Sequence, residues 1–118
     1  MYKIILFNSP IYFEIKDINN DLLITIYGGT KPHIGSVTIS EPIFKNSIKT
    51  STFSFENHKD YVIAKLFSER IAKEMNKRVV CCCGIHYDNL NKDQIREIEI
   101  ECQEILERII EDQKNESK

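Results

Sequence analysis

The chain has no apolar run near the roughly 20 residues needed to cross a bilayer. It has no excess of positive charge either. Its 16 lysines and arginines face 18 aspartates and glutamates, a formal net charge of −2. No basic cluster is interleaved with aromatics, which argues against a nucleic-acid partner. Met1–Phe7 carries a lysine and a short apolar stretch. It lacks a small-residue cleavage site and is broken by Asn8-Ser9-Pro10, so a secretory signal is not expected and a cytoplasmic location is. Repeats, linkers and low-complexity segments are absent. So are a Walker A loop, a Rossmann fingerprint, a nucleophile elbow, a Ser-His-Asp order and a His-Glu-x-x-His string. The four cysteines show no C-x-x-C spacing, which removes the common zinc and redox patterns.

What remains is an ordinary soluble composition, 42% hydrophobic and 29% charged, in 118 residues that fit one domain, 1–118. Tyr2 to Phe7 reads as a short strand. Ile11, Phe13 and Ile15 then alternate with Tyr12, Glu14 and Lys16 as a half-buried strand. Asp17-Ile18-Asn19-Asn20-Asp21 supplies turn chemistry before the β-prone run Leu22–Tyr27. Val37 and Ile39 alternate with Ser36, Thr38 and Ser40. A loop over Pro42–Ser47 follows, and Phe53 and Phe55 mark a further strand. Such a series with short turns predicts an antiparallel meander.

The period then changes. Asn57 with Asp60 three residues on is a capping-box variant, and Ile63, Phe67, Ile71 and Met75 form one stripe of a helix ending near Asn76. Arg78–Ile85 holds Val79-Val80-Cys81-Cys82-Cys83, which predicts a central strand covered on both faces. Within it Cys81 and Cys83 share one face and Cys82 takes the other, as small apolar core residues do; a metal or redox role is the alternative. A last helix opens with Asn91 as N-cap, Gln94 at N3 and Leu90 stapled to Ile95. Its stripe is Ile95, Ile98, Cys102, Ile105 and Ile109, and a frayed tail is expected over 113–118. Ile100 and Ile110 lie off that stripe, which favours a homodimer. The fold class is two-layer α+β: a mainly antiparallel sheet with both helices on one face.

Two turns carry the polar chemistry. In Gly28-Gly29-Thr30-Lys31-Pro32-His33-Ile34-Gly35, the glycines let backbone approach a ligand closely. Lys31 with backbone N–H groups suits a phosphate, and His33 suits acid, base or metal chemistry. A hairpin turn whose glycines serve geometry alone is the competing reading. In Gly84-Ile85-His86-Tyr87-Asp88-Asn89, the strand leads toward a helix N-terminus, whose positive end favours an anion. His86 and Asp88 could join His33 as ligands of a divalent metal, an inventory like that of a facial triad, or Asp88 could orient His86. The ordinary reading makes Asp88 and Asn89 turn formers and Tyr87 a filler of the core edge. His58 reads as solvated, and the glutamates of the last helix as its wet face.

The two strings together, at this separation, resemble the LpdD-like family of prenylated-flavin chaperones, associated with gallate-type hydroxyarylic acid decarboxylases. The resemblance spans about residues 11–110. A remoter similarity of architecture is to proteasome-assembly-chaperone domains. The resemblance implies a cytoplasmic accessory protein that binds prenylated FMN, or FMN, and delivers it or helps mature it. Its partners would be a flavin prenyltransferase and a UbiD-like decarboxylase. It implies Gly29, Pro32, His33, Gly35, Gly84, His86, Tyr87, Asp88 and Asn89 as cofactor-binding residues; Lys31 joins them on physical grounds. The alternatives are a small metal-dependent enzyme acting on the flavin and an assembly chaperone with no small-molecule site.

Overall fold

Asparagine-rich turns fold the first half of the chain locally. In the computed structural model, which describes residues 1–55 and 60–116, strand β1 (Tyr2–Leu6) pairs with β2 (Ser9–Ile18) and β2 with β3 (Asp21–Gly29). Phe7 and Asn8 both have positive φ, 51° and 66°, as a two-residue hairpin turn of matching twist requires. Asn19, at φ 56°, opens the next turn. Phe7 tolerates this backbone because its ring packs edge-on against Tyr87 at 5.5 Å. β4 (Ser36–Ile43) and β5 (Ser47–Ser54) form a second hairpin around a short 3₁₀ turn, Phe44–Asn46. The expected loop is therefore shorter, and the following strand longer, than the sequence pattern shows.

Helix α1 (Tyr61–Met75) ends on Asn76 at φ 54°, whose N–H donates to the Ala72 carbonyl, a left-handed C-cap. Strand β6 (Val79–His86) and helix α2 (Lys92–Glu116) follow. The sheet order is β1-β2-β3-β6-β4-β5. β6 enters between the meander and the second hairpin, parallel to β3 and antiparallel to β4. Both helices lie on one face, so the architecture is the expected α+β one, with one parallel pair in an otherwise antiparallel sheet. The core joins Ile11, Phe13, Leu22, Ile24, Ile26, Val79, Cys81 and Cys83 of the sheet to Phe67, Ile71, Cys102, Leu106 and Ile109 of the helices.

Several expectations change. β6 is central but covered on one face only: Val79, Cys81 and Cys83 are buried under the helices, while Val80 and Cys82 lie half-buried on the open face. Cys82 is thus not a full core residue. Burial holds Cys81 and Cys83 as thiols, raising both above the ordinary thiol range, and pushes Cys102 up to about 12. Ile110 is buried with the main stripe, so only Ile100, half-exposed, stays outside it. α2 runs through Glu116 with Gln113 buried, where a frayed tail was expected to begin. Asn91 and Gln94 do exchange reciprocal side-chain bonds, 2.8 and 3.0 Å, as a capping box. The expected cap at Asn57, and His58, lie outside the described residues.

β4 reverses the usual polarity of a half-buried strand. Ser36, Thr38 and Ser40 are fully buried beneath α1, while Val37 and Ile39 face outward. Small Ala64, Ser68 and Ala72 let α1 approach this strand. The Ser40 hydroxyl donates to Ser68 Oγ (2.8 Å), and Thr50 donates to Glu69 (2.6 Å) beside it.

Candidate functional site

The two turns meet. Gly29 and His86 are the last partners of the parallel β3–β6 ladder, and the His86 carbonyl accepts the Thr30 N–H at 2.7 Å. Gly29 sits at φ 82°; a Cβ there would stand 2.0 Å from the His86 carbonyl oxygen. A Cβ on Gly84 would meet the His33 carbonyl oxygen at 1.6 Å. A Cβ on Gly35 would meet Asp60 Oδ2 at 2.0 Å, and the Gly35 N–H donates to the Cys83 carbonyl at 2.9 Å. Gly29 and Gly84 let one turn lie directly on the other, and Gly35 leaves room for the Asp60 carboxylate beside them.

The histidines lie side by side, ring centres 6.4 Å apart and edge to face. His33 is half-buried. Its Nδ1 donates to the Lys31 carbonyl at 3.0 Å, and its Nε2 lies 3.3 Å from Asp60 Oδ2. His86 Nε2 bonds Asp88 Oδ1 at 2.9 Å. That bond, and then the Lys31 ammonium, hold the Asp88 carboxyl below the usual aspartate range. Each histidine thus has its own carboxylate.

Asp60, expected as the second member of a capping box begun by Asn57, has instead a role at the site that its sequence context does not show. It stands at the N-cap of α1 and is buried, yet its side chain does not cap that helix. Oδ1 accepts the Ile85 N–H at 3.1 Å, and Oδ2 faces His33. The carboxylate therefore joins the end of β6 to the first turn. An aspartate at a helix start reads as a cap in any sequence, and only the tertiary path of β6 reveals the other role.

The remaining candidates divide. Tyr87 points into the core edge, donating to the Ser9 carbonyl at 3.1 Å and packing on Phe7, so it anchors the β1–β2 turn. Asn89, exposed and at φ 57°, shapes the turn before α2. Lys31 and Pro32 are exposed on the rim. His33, His86 and Asp88 do not form a metal triad: among the described residues no group of three histidines, cysteines or acidic residues is placed to hold an ion. His86 and His33 spend ring nitrogens on Asp88 and Asp60 instead.

Two cavities flank the histidines. On the helix side, a cleft of about 420 Å³ opens between Val62 and Ile63 of α1, Ile85 at the end of β6, and Leu90, Ile95 and Ile98 around the start of α2. His86, Asp60 and Glu99 supply its polar edge. On the open sheet face, a cavity of about 390 Å³ lies beside Tyr27, Pro32, His33 and Cys82. Both volumes fall in the range of small-molecule sites. No helix among the described residues is long and apolar enough to cross a membrane.

Comparison with known proteins now bears on this site. The chain is 34% identical over 79 residues to Protein LpdD of Lactiplantibacillus plantarum, a match that covers 66% of this chain and 58% of that relative's length. The structure superposes on a chain of a chaperone complex for yeast 20S proteasome assembly with a TM-score of 0.53. That match has 12% identity and covers 92% of this chain and 85% of the other, a likeness of fold alone. The family model of the prenylated flavin chaperone LpdD-like domain matches residues 7–114, both turns included, and the chain belongs to that family.

Proposed function

We propose that this protein binds prenylated FMN, or FMN, at the paired turns and delivers it, or helps mature it, for a UbiD-like hydroxyarylic acid decarboxylase. The observation that carries the reading is the placement of His86 and Asp60 on the edge of an apolar cleft, within a chain of the LpdD-like family.

The residues present fit such a ligand. Val62, Ile63, Ile85, Leu90, Ile95 and Ile98 give a flat aromatic ring system an apolar bed, and a cleft of about 420 Å³ accepts one. His86 meets the polar ring edge, and Lys31, exposed on the adjoining turn, offers its ammonium to the phosphate. The flavin supplies the redox and carbon chemistry; the chain's task is to hold it, orient it and keep water and oxygen from it. Gly29 and Gly84 maintain the turn-on-turn contact and Gly35 admits the Asp60 carboxylate, with Asp60 and Asp88 orienting the histidines. A divalent metal has no part in this proposal. The cytoplasm, where a flavin prenyltransferase would provide the cofactor, is the location it calls for.

The test is anaerobic co-expression with a flavin prenyltransferase, followed by mass spectrometry of small molecules released from the purified protein. Stoichiometric prenylated FMN is expected. His86→Ala should lose the flavin while keeping the parent circular dichroism. A folded parent protein that releases no flavin would overturn the proposal and favour a role in protein assembly.

A further inference from the structure

A groove runs along the outer surface between the two helices. Two ion pairs join α1 and α2 over their later turns, Arg70 to Glu107 at 2.8 Å and Lys114 to Glu74 at 2.9 Å. Beside the first pair lies a cavity of about 400 Å³, lined by Leu66 of α1 and by Ile100, Gln103 and Glu104 of α2. It continues the cleft at His86. Val62 lines the cleft, and Leu66, one turn on, lines the groove. On α2 the adjacent Glu99 and Ile100 do the same. Cleft and groove are therefore one trough, ~12 Å long from Val62 to Arg70 at ~1.5 Å per residue. Its floor is apolar: Val62 is 47% exposed and Ile100 50%, with Leu66 half-buried. Ile100 sits between Glu99 and Glu101, where a solvated helix face carries polar residues. The α2 wall is acidic. From Asp93 to Glu107 that helix carries six carboxylates and one cation, Arg96. Glu99 and Glu104 pair with no cation among the described residues.

We infer that this trough docks a basic amphipathic helix of the decarboxylase that takes up the flavin. An apolar trough between two helices accepts the i, i+3, i+4 anchors that an amphipathic helix presents. Such anchors cover Val62, Leu66 and Ile100, and lysines or arginines beside them meet Glu99 and Glu104. Charge decides against other occupants. An anionic lipid surface is repelled by the α2 carboxylates. A second copy laid on this face across a two-fold axis would set those carboxylates against themselves. A helix of opposite sign meets neither penalty. The position suits an exchange of ligand, because a segment seated along the trough reaches the mouth of the cleft. That the partner is the decarboxylase rests on the function proposed above; the fit of the groove to a basic apolar helix does not.

The direct probe is a labelled helical peptide of about 18 residues, with leucines at i, i+3, i+4 and i+7 and lysines between. The full chain should bind it in fluorescence anisotropy and ignore the same peptide with glutamate in place of lysine. Ile100→Ser removes an apolar anchor point and should weaken binding about tenfold. Glu104→Lys should weaken it and flatten its salt dependence. Glu111→Lys, on α2 but outside the groove, should change it by less than about twofold. All three side chains are exposed, so each variant should keep the parent circular dichroism. In a second arm, the chain loaded anaerobically with prenylated FMN passes it to the apo-decarboxylase. The lysine peptide should slow that transfer, and Ile100→Ser should keep its flavin yet hand it over more slowly. Equal binding of the two peptides would overturn the inference. So would full binding by Ile100→Ser, or a loss in Glu111→Lys equal to that in Glu104→Lys. A transfer rate that neither the peptide nor Ile100→Ser alters would overturn the decarboxylase as the partner. A parent chain that carries no flavin would overturn the proposed function and that partner with it, while the peptide arm still decides the groove.

Discussion

Gly84→Ala adds a single methyl group, and the structure gives it nowhere to go. The new Cβ stands 1.6 Å from the His33 carbonyl oxygen, 2.4 Å from that carbonyl's carbon and 3.1 Å from the Ile34 nitrogen, while ordinary contact begins at 3.4 Å. All three atoms are backbone, so no rotamer change relieves the clash. The first turn must lift from β6, and lifting it strains the Gly35 N–H bond to the Cys83 carbonyl, 2.9 Å long. Overpacking of this kind costs ~1–3 kcal/mol, and a buried hydrogen bond lost with it ~1 kcal/mol more. The expected loss is therefore ~3 kcal/mol, from a total of ~5–15 kcal/mol. Urea unfolding followed by circular dichroism measures it as a lower midpoint at unchanged slope. Gly35→Ala supplies the internal control. Its Cβ meets the Asp60 carboxylate at 2.0 Å and His33 Nε2 at 3.0 Å, side-chain atoms that can swing aside. It should cost less stability than Gly84→Ala, at most the ~1–3 kcal/mol of the Ile85 bond if Asp60 gives it up in moving, and separate Asp60 from His33. A Gly84→Ala protein within ~0.5 kcal/mol of the parent would refute the claim that the turns are packed backbone to backbone, because a surface change has that size.

Thr38→Val keeps the shape and removes a buried hydroxyl that has no partner, so it should stabilise by ~1 kcal/mol in the same urea assay. Asp60→Ala leaves the Ile85 N–H without its acceptor and should cost ~1–3 kcal/mol; Asp60→Asn retains an oxygen for that bond and should recover more than half. Asp88 should titrate below its ordinary value of 3.8, since the His86 bond and the Lys31 charge favour the carboxylate. With the folded-state value depressed, the contribution of this group to stability is present above 3.8 and lost as pH falls through the lower value, which carbon-detected NMR of the Asp88 carboxyl can follow. Lys31→Ala should raise the Asp88 midpoint by less than His86→Ala does, the hydrogen bond being the larger cause.

The elements were legible because their signals are local. Alternation at Ile11 and Phe13, the stripe of Phe67 and Ile71, and the capping pair Asn91 and Gln94 each need only a few neighbouring residues to be read. The position of β6 between β3 and β4 is set by pairing across 39 to 57 positions, and nothing within Val79–His86 states it. The same holds for β4. Its alternation is plain, but which face goes inward depends on what α1 brings against it. Ala64, Ser68 and Ala72 make a shallow helix surface that accepts Ser40 and excludes larger side chains, so the apolar residues go outward. The continuous apolar run of β6 reads as two covered faces, although the helices cover only one of them.

The site was legible in a different sense. The glycines and histidines announced themselves by type, and the geometry explains why those types stand together in this chain. Gly29 and Gly84 face the partner turn, and each would collide with its backbone on gaining a Cβ, while a Cβ on Gly35 would collide with Asp60. The histidines stand where that contact puts them, 6.4 Å apart, so the two strings depend on one another physically. Asp60 was hidden because its sequence neighbours describe a helix start, whereas its oxygens serve Ile85 and His33, 25 and 27 positions away. That double attachment makes Asp60 the joint of the site. Moving α1 relative to β6 moves the carboxylate, and with it the support of His33, while His86 and Asp88 on the other turn keep their own bond. A partner that shifts α1 would therefore loosen one histidine and leave the second in place.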